Sequence, residues 1–163
     1  MDSQPELLER STSAEISRVV IGKLKIGVDL LEGIRELVKR EGIRSGVILS
    51  GLGALKKAVF RNAKIIPPDY KMEDKYRVYV EIDQPLELVS MPGWIATRES
   101  GEPEIHAHFT ASTVLNERIV TMGGHLTNGT ITSIKCVVII GVIDDARIKA
   151  VIDPGVGSME IYF

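Results

Sequence analysis

The sequence is poor in the residues that would indicate a disulfide-stapled or membrane-inserted protein. Its 163 residues include one cysteine, Cys136. A single cysteine excludes an intrachain disulfide and is typical of a reducing compartment, so we expect a cytoplasmic protein. The longest apolar run, residues 136–143, is far shorter than the ~20 residues that a membrane-spanning helix needs. Residues 1–10 are polar and acidic, which predicts no signal peptide and no membrane partner.

The charge balance gives little support for binding a polyanion. The chain has 20 Lys and Arg residues against 22 Asp and Glu residues, a net charge of −2, which weighs against nonspecific phosphate binding. Residues 1–64 hold 12 basic and 8 acidic residues, whereas residues 65–163 hold 8 and 14. Because basic side chains in the first part are interleaved with acidic ones, a solvated surface is the simplest interpretation, and a DNA-binding face is the alternative.

One amphipathic helix is predicted over about residues 29–41. Asp29 can cap it, Glu32 would complete a capping box, and Gly42 suits the left-handed position that follows a helix. Between them the apolar side chains recur on one face, at Leu30, Leu31, Ile34, Leu37 and Val38. Residues 1–14 lack apolar periodicity and are expected to form a flexible N-terminal tail, which leaves residues 15–163 as one domain.

Almost everything else is β-rich in composition. Strands are predicted at 16–24, 47–49, 55–65, 76–82, 86–91, 94–97, 105–114, 119–122, 131–142 and 148–152. Residues 67–75 are predicted to form a loop. One early helix followed by a run of strands indicates an α+β fold with a mostly antiparallel sheet on which the helix packs.

The glycines of Ser50-Gly-Leu-Gly-Ala-Leu55 follow a predicted strand and invite a nucleotide-binding interpretation. A dinucleotide fingerprint needs a third glycine that opens a helix, but Lys56 stands at that position and the strand pattern continues. The glycines therefore favour a bend or bulge where two backbones approach closely. We expect no cofactor-binding site at this segment.

The three histidines form the most informative pattern. His106 and His108 project from the same face of one predicted strand because side chains alternate along it. His125 follows on the next predicted strand. A two-residue turn at Asn116-Glu117 would place His108 directly opposite His125, with His106 one diagonal step away. The prediction depends on register, because a shift of one residue would turn His125 to the other face.

Three converging imidazoles indicate a metal site. A set of three histidines with an open fourth position is the protein's contribution to many catalytic zinc sites, so His106, His108 and His125 are the candidate metal ligands and zinc is the expected ion. Nickel and iron remain alternatives. The other interpretation is a hydrogen-bonded polar pocket or a subunit interface. Cys136, within an apolar segment, is expected to be a core thiol, with a role as a fourth ligand as the minor alternative.

Several motifs together resemble the plants-and-prokaryotes conserved (PPC) domain family. They cover about residues 16–153 and are Gly27-Val-Asp-Leu-Leu-Glu, Ser50-Gly-Leu-Gly-Ala-Leu, Leu86-Glu-Leu-Val-Ser-Met-Pro-Gly93, His106-Ala-His108 and Gly123-Gly-His-Leu-Thr-Asn-Gly129. The resemblance implies one helix against an antiparallel sheet, a homotrimer, and a metal site at the three histidines. The chain has no Arg-Gly-Arg-Pro hook of the kind that enters the DNA minor groove in plant members, and Cys136 stands where the family pattern commonly has glutamate.

The sequence therefore predicts a homotrimeric PPC-domain protein that binds a zinc-like ion through three histidines. Such an ion could activate water for chemistry on a small molecule, but no general base stands out and the enzymatic role is left open. The alternatives are a DNA-binding regulatory or architectural protein and a protein-interaction scaffold whose metal is structural.

Overall fold

The amphipathic helix forms where the sequence predicts it. In the computed structural model, which describes residues 7–163, α1 runs Leu30–Arg40. The Asp29 Oδ1 atom accepts hydrogen bonds from the backbone N–H groups of Leu31 and Glu32, at 3.0 and 3.1 Å. Gly42, with φ 61°, follows the helix end. The predicted bounds of about 29–41 thus add only the capping residues Asp29 and Glu41 to the observed helix.

The strands lie along the rest of the chain. Those found within residues 7–163 are β1 (Arg18–Lys23), β2 (Gly46–Ala63), β3 (Arg77–Ile82), β4 (Leu86–Ser90), β5 (Gly93–Arg98), β6 (Pro103–Leu115), β7 (Arg118–Leu126), β8 (Ile131–Thr132), β9 (Val137–Val142), β10 (Lys149–Ile152) and β11 (Met159–Tyr162). A short 3₁₀ turn, Asp74–Tyr76, ends the predicted loop. The predicted tail falls partly on residues 1–6, which lie outside the described residues; residues 7–14 are exposed and have no helix or strand.

The sheet is antiparallel throughout except where β10 runs parallel to β5. Its centre is β2, which pairs with β9 and β5 near its start and with β3 and β7 near its end. The mostly antiparallel α+β architecture with one helix is therefore confirmed. Residues 7–163 include no helix with the length and apolar character of a membrane span.

The glycine-rich segment lies inside β2, so the strands predicted at 47–49 and 55–65 are one continuous strand. The register against β9 shifts between Ile48 and Ser50, which marks a bulge. Gly53 has φ 131°, and a Cβ atom there would lie 2.5 Å from the carbonyl oxygen of Lys135. The bulge lies just before Gly51, and the predicted close backbone approach is confirmed at Gly53.

Two further differences from the predicted strands lie in the last third of the chain. The segment 131–142 is split into β8 and β9 because Lys135 takes a left-handed conformation, φ 57°, in the turn between them. The strand β11, Met159–Tyr162, was missed: it is four residues long, and alternation over so few residues gives no clear signal. It adds to β10 and brings the C-terminal segment to the histidine side of the molecule.

The core lies between the helix and the sheet. Leu30, Ile34 and Val38 on the inner face of α1 are fully buried. The rings of Phe60 on β2 and Phe109 on β6 stack with their centroids 4.6 Å apart. Each fully buried apolar side chain contributes roughly 1.5–3 kcal/mol. This packing fixes β2, β6 and the helix relative to one another, and the histidine-bearing strands with them.

Candidate metal centre

The β6–β7 hairpin determines where the histidines lie. Its turn residues, Asn116 and Glu117, have φ values of 48° and 59°. Two successive left-handed residues define the type I′ turn that joins antiparallel strands by two residues. The strands then pair from Leu115 with Arg118 to His108 with His125. The predicted turn and register are both confirmed.

The three imidazole rings converge on one face of the sheet. Ring centroids of His106 and His125 are 4.7 Å apart, those of His108 and His125 are 5.1 Å apart, and those of His106 and His108 are 5.3 Å apart. One ring nitrogen from each lies within 4.8 Å of those of the other two. His108 is exposed and the other two are half-buried, so the cluster opens to solvent on the His108 side.

Trp94 supports the cluster from the neighbouring strand. It lies directly opposite His106 across β5 and β6. The two rings are stacked, with centroids 5.2 Å apart and planes at 10°. Stacking restricts the orientation of His106 and shields one of its faces from water. No pattern in the histidine spacing indicated this residue; only the pairing of β5 with β6 identifies it.

The environment keeps the imidazoles neutral. Burial lowers the pKa of His106, with a further contribution from His108, and burial and Arg61 lower the pKa of His108. Burial, Arg61 and the two other histidines together lower the pKa of His125 to about 3. Neutral imidazole is the form that binds a metal ion. The cluster therefore does not need to lose protons near neutral pH before it can act as a ligand set.

The helix N-terminus is hydrogen-bonded to the segment that directly follows β7, the strand that carries His125. The Asp29 Oδ2 atom accepts a hydrogen bond of 2.6 Å from the Gly129 backbone N–H. The backbone N–H of Leu30 donates to the Thr130 carbonyl at 2.8 Å. Glu32 does not complete the predicted capping box, because its carboxylate instead accepts hydrogen bonds from the side chain of Asn128 and from Arg35. The segment around Asp29 and Glu32 and the segment around Asn128, more than 90 residues apart in sequence, thus lie against each other beside the site.

Cys136 is not part of the cluster. Within the described residues, the group of possible ligands that the structure brings together is the three histidines alone. Cys136 is fully buried in the core, and its backbone lies against Gly53. Burial raises the pKa of its thiol to about 11. The expectation of a core thiol is confirmed, and the alternative role as a fourth ligand is wrong.

A cleft of about 380 Å³ opens beside His106 and His125. Its walls include the basic residues Arg61 and Arg77 and the acidic residues Glu104 and Glu160. None of the four was predicted from the sequence as a site residue. Arg61 pairs directly with His125 across β2 and β7. A charged residue on an adjacent strand can be recognised as a neighbour only once the strand pairing is known.

The donor set suits a zinc-like ion. Zinc takes imidazole nitrogen at about 2.0–2.1 Å in four-coordinate sites, and catalytic sites leave the fourth position to water. The cluster offers three nitrogens and no carboxylate, with its exposed side at His108. The residues present therefore fit a three-histidine site with one open position.

Comparison with known proteins gives the family. The family described as the Plants and Prokaryotes Conserved (PCC) domain, also abbreviated PPC, matches residues 11–144. The chain belongs to this family. The predicted resemblance is thus confirmed. No curated protein sequence matches the chain significantly.

Solved structures share the fold of this PCC-domain chain at low sequence identity. A metal-containing protein from Archaeoglobus fulgidus is 22% identical with a TM-score of 0.74, over 94% of this chain and 99% of that one. A PPC protein from Pyrococcus horikoshii is 22% identical with a TM-score of 0.72, over 94% and 96%. A protein from Bacteroides thetaiotaomicron, provisionally named as DNA-binding, is 19% identical with a TM-score of 0.71, over 91% and 94%.

Proposed function

We propose that this PCC-domain protein is a metal-binding protein that holds one zinc ion per chain with His106, His108 and His125. The observation that carries the proposal is the convergence of three neutral imidazoles whose ring nitrogens lie within 4.8 Å of one another. The Archaeoglobus protein with the same fold is described as metal-containing, which supports the proposal. When bound, the ion would supply Lewis acidity to a water or ligand oxygen at its open position.

The residues around the cluster have distinct parts in this proposal. Trp94 orients His106 by stacking, and the β6–β7 register places His108 against His125. Arg61 and the burial of the rings keep the imidazoles unprotonated. Among the described residues no fourth protein ligand joins the three histidines, and the cleft beside His106 and His125 gives a small molecule access to the cluster.

Zinc titration of the metal-free protein tests the proposal. Calorimetry is expected to give one site per chain in the untagged wild type and in Thr110→Ala, which changes a non-ligand residue two positions along β6 from His108. His108→Ala is expected to weaken zinc binding by 100-fold or more, because it removes one of three ligands. Equal affinity in His108→Ala and the wild type would refute the three-histidine site.

We also propose that the protein is a cytoplasmic homotrimer. The family resemblance is the main support, and the single, buried cysteine suits a reducing compartment. The outer face of β1 adds to it, because Val19 and Ile21 are 54% and 69% exposed. Such an apolar strand face favours burial against another copy. Light scattering is expected to give the mass of three 17.9 kDa chains, and the mass of one chain would contradict the trimer.

DNA binding is the second candidate. It is favoured by the provisional name of the Bacteroides thetaiotaomicron protein that shares the fold. If a duplex binds through phosphate contacts, its affinity must fall steeply as salt rises, because counterions are released on binding. Absent or salt-independent binding of a mixed-sequence duplex would remove this candidate.

A further inference from the structure

One row of side chains crosses four strands beside the histidines. His108 on β6 lies opposite His125 on β7, His125 lies opposite Arg61 on β2, and Arg61 lies opposite Tyr79 on β3. Residues that lie directly opposite one another across a sheet share a face, with Cβ atoms about 4.5–5.5 Å apart. The side chain of Arg61 therefore lies next to the proposed metal ligands, on the same face of the sheet.

Arg61 is half-buried and, within the described part of the chain, forms no direct ion pair. Among residues 7–163 no acidic side chain lies within 4.0 Å of its guanidinium nitrogens. The Tyr79 hydroxyl, its cross-strand neighbour, donates its own hydrogen bond to Asp74 at 2.7 Å. Burial first, and then the nearby positive charge of Arg77, lower the pKa of Arg61 below its usual value, and Tyr79 and the Asp74 carboxylate offset this only in part. Half-buried cations of this kind normally have an anionic partner.

Arg77 adds a second positive charge to the wall of the cleft. It pairs with Ala63, two residues beyond Arg61 on β2, so the two arginines are diagonal neighbours on one face. Like charges at such positions repel, and among residues 7–163 neither arginine has a carboxylate within 4.0 Å. An external anion would relieve this repulsion. Both arginines line the cleft that His106 and His125 also line.

Two acidic residues that also line the cleft, Glu104 and Glu160, limit the kind of anion that can bind there. Glu104 is paired with Arg98, and Glu160 accepts a hydrogen bond of 2.7 Å from the Ser158 hydroxyl. Both carboxylates line the same cleft, and their charges raise the pKa of His106 whereas the charge of Arg61 lowers it. A polyanion laid across the whole cleft would meet these negative charges, whereas a small ligand with one anionic group can avoid them. The cleft volume of about 380 Å³ is also in the range of small-molecule sites.

We propose that the cleft binds a small-molecule oxyanion, a carboxylate or a phosphate group, which Arg61 holds beside the three-histidine centre. The guanidinium presents a planar pair of N–H donors that matches either group. This inference rests on the proposed function, because it names the class of ligand for the same site. Arg61 is assigned as a binding residue for the ligand and not as a metal ligand.

Anion titrations of the zinc-loaded, untagged protein test the proposal. The probes are acetate, malonate, inorganic phosphate and a mixed-sequence DNA duplex, and the readouts are calorimetry and the fluorescence of Trp94, the one tryptophan in the sequence, which stacks on His106. At least one small oxyanion is expected to bind at one site per chain. Arg61→Gln is expected to weaken the binding of this anion by about 10- to 100-fold, because a charge-assisted hydrogen bond is lost.

Three variants separate the explanations. Arg118→Gln removes the same charge from an exposed position at the other end of β7 and is expected to bind the anion like the wild type. Arg61→Lys keeps the positive charge but lacks the planar pair of N–H donors, so it is expected to lose an intermediate amount of anion affinity. Arg61→Gln is expected to keep its full zinc content, since Arg61 is not a ligand. That result distinguishes loss of the anion site from loss of the metal site.

Other outcomes overturn the proposal, and failure of every small anion to bind is the simplest of them. Anion affinity that is unchanged in Arg61→Gln, or reduced equally in Arg118→Gln, means that Arg61 does not hold the ligand. Binding of the duplex but of none of the three small anions means that the arginines serve a nucleic acid. If the protein takes up no zinc, the proposed function fails on its own, and phosphate binding by the metal-free wild type and Arg61→Gln still tests Arg61.

Discussion

His108 lies directly opposite His125 across the β6–β7 ladder, with ring centroids 5.1 Å apart and ring planes at 89°. This relationship follows from a turn of two residues, because one residue more in the loop would shift the register unless a bulge compensated for it. The candidate metal site thus depends on Asn116 and Glu117, which are themselves remote from it along the hairpin.

The turn offers a test of how the hairpin is stabilised. Glu117 has φ 59°, a conformation that costs a residue with a side chain roughly 1 kcal/mol and costs glycine much less. Glu117→Gly is therefore expected to stabilise the protein by about 0.5–1 kcal/mol and raise Tm by about 2–3 °C, measured by thermal unfolding. Glu117→Ala keeps the strained backbone and is the control, with little expected change. A lower Tm for Glu117→Gly would contradict the assignment of the turn.

Asp29 joins the helix to the segment that follows His125, and its substitution is expected to destabilise the fold. Asp29→Ala removes both the helix cap and the 2.6 Å hydrogen bond from Gly129, so we expect a loss of about 2 kcal/mol in denaturant unfolding. Asp29→Ser retains a capping hydroxyl, but this hydroxyl cannot accept from both the helix N–H groups and the Gly129 N–H. About half of the loss in unfolding free energy is therefore expected. Equal losses in the two variants would show that the cap contributes nothing.

Metal removal distinguishes a reactive from a structural ion. The core between α1 and the sheet is closed without the histidines, and β6 and β7 pair along their whole length. A chelator is therefore expected to lower Tm by several degrees through loss of binding energy while the β-sheet circular dichroism at 25 °C persists. His108→Ala is expected to show no further drop with chelator. Complete unfolding of the chelated wild type would instead support the scaffold alternative, in which the ion is structural.

The buried thiol gives a prediction about alkaline pH. Burial raises the pKa of Cys136 to about 11 in the folded protein, above its value in the unfolded chain. The proton that the folded state retains contributes stability below the unfolded pKa of about 8.5, and this stability is lost as pH rises through about 11.

Cys136→Ala removes that contribution, so its stability is expected to fall less steeply than that of the wild type between pH 8.5 and 11. Denaturant unfolding at a series of pH values measures the difference. At pH 8 a disulfide reagent is expected to react with the wild type only after denaturation, because the thiol has no solvent exposure. Fast labelling of the native protein would contradict the burial.

Local signals were enough to predict the parts of the site that lie close in sequence. Asn116 and Glu117 stand between two alternating segments, so the turn, the register and the meeting of His108 with His125 could all be worked out from spacing. The helix was predicted equally well, since its cap at Asp29, its apolar face and Gly42 all indicate the same bounds.

The surroundings of the histidines could not be predicted in this way. Trp94, Arg61 and Glu160 reach the site through strand pairings or a cleft wall that join distant segments, and residue spacing carries no record of those pairings. Gly53 marked a close approach, but which backbone it approaches, that of Lys135, depends on the pairing of β2 with β9. Strand β11 left no detectable pattern, and Glu160, which it brings to the cleft, was missed with it.

The most direct test of the account is the metal content of the untagged protein. Elemental analysis of wild type purified without added metal or chelator, combined with native mass spectrometry, is expected to give one zinc-like ion per 17.9 kDa chain. The ion is expected to be absent from a variant in which His106, His108 and His125 are all alanine. A wild type without a transition metal that also fails to take up added zinc, or a triple variant that retains the ion, would contradict the three-histidine centre.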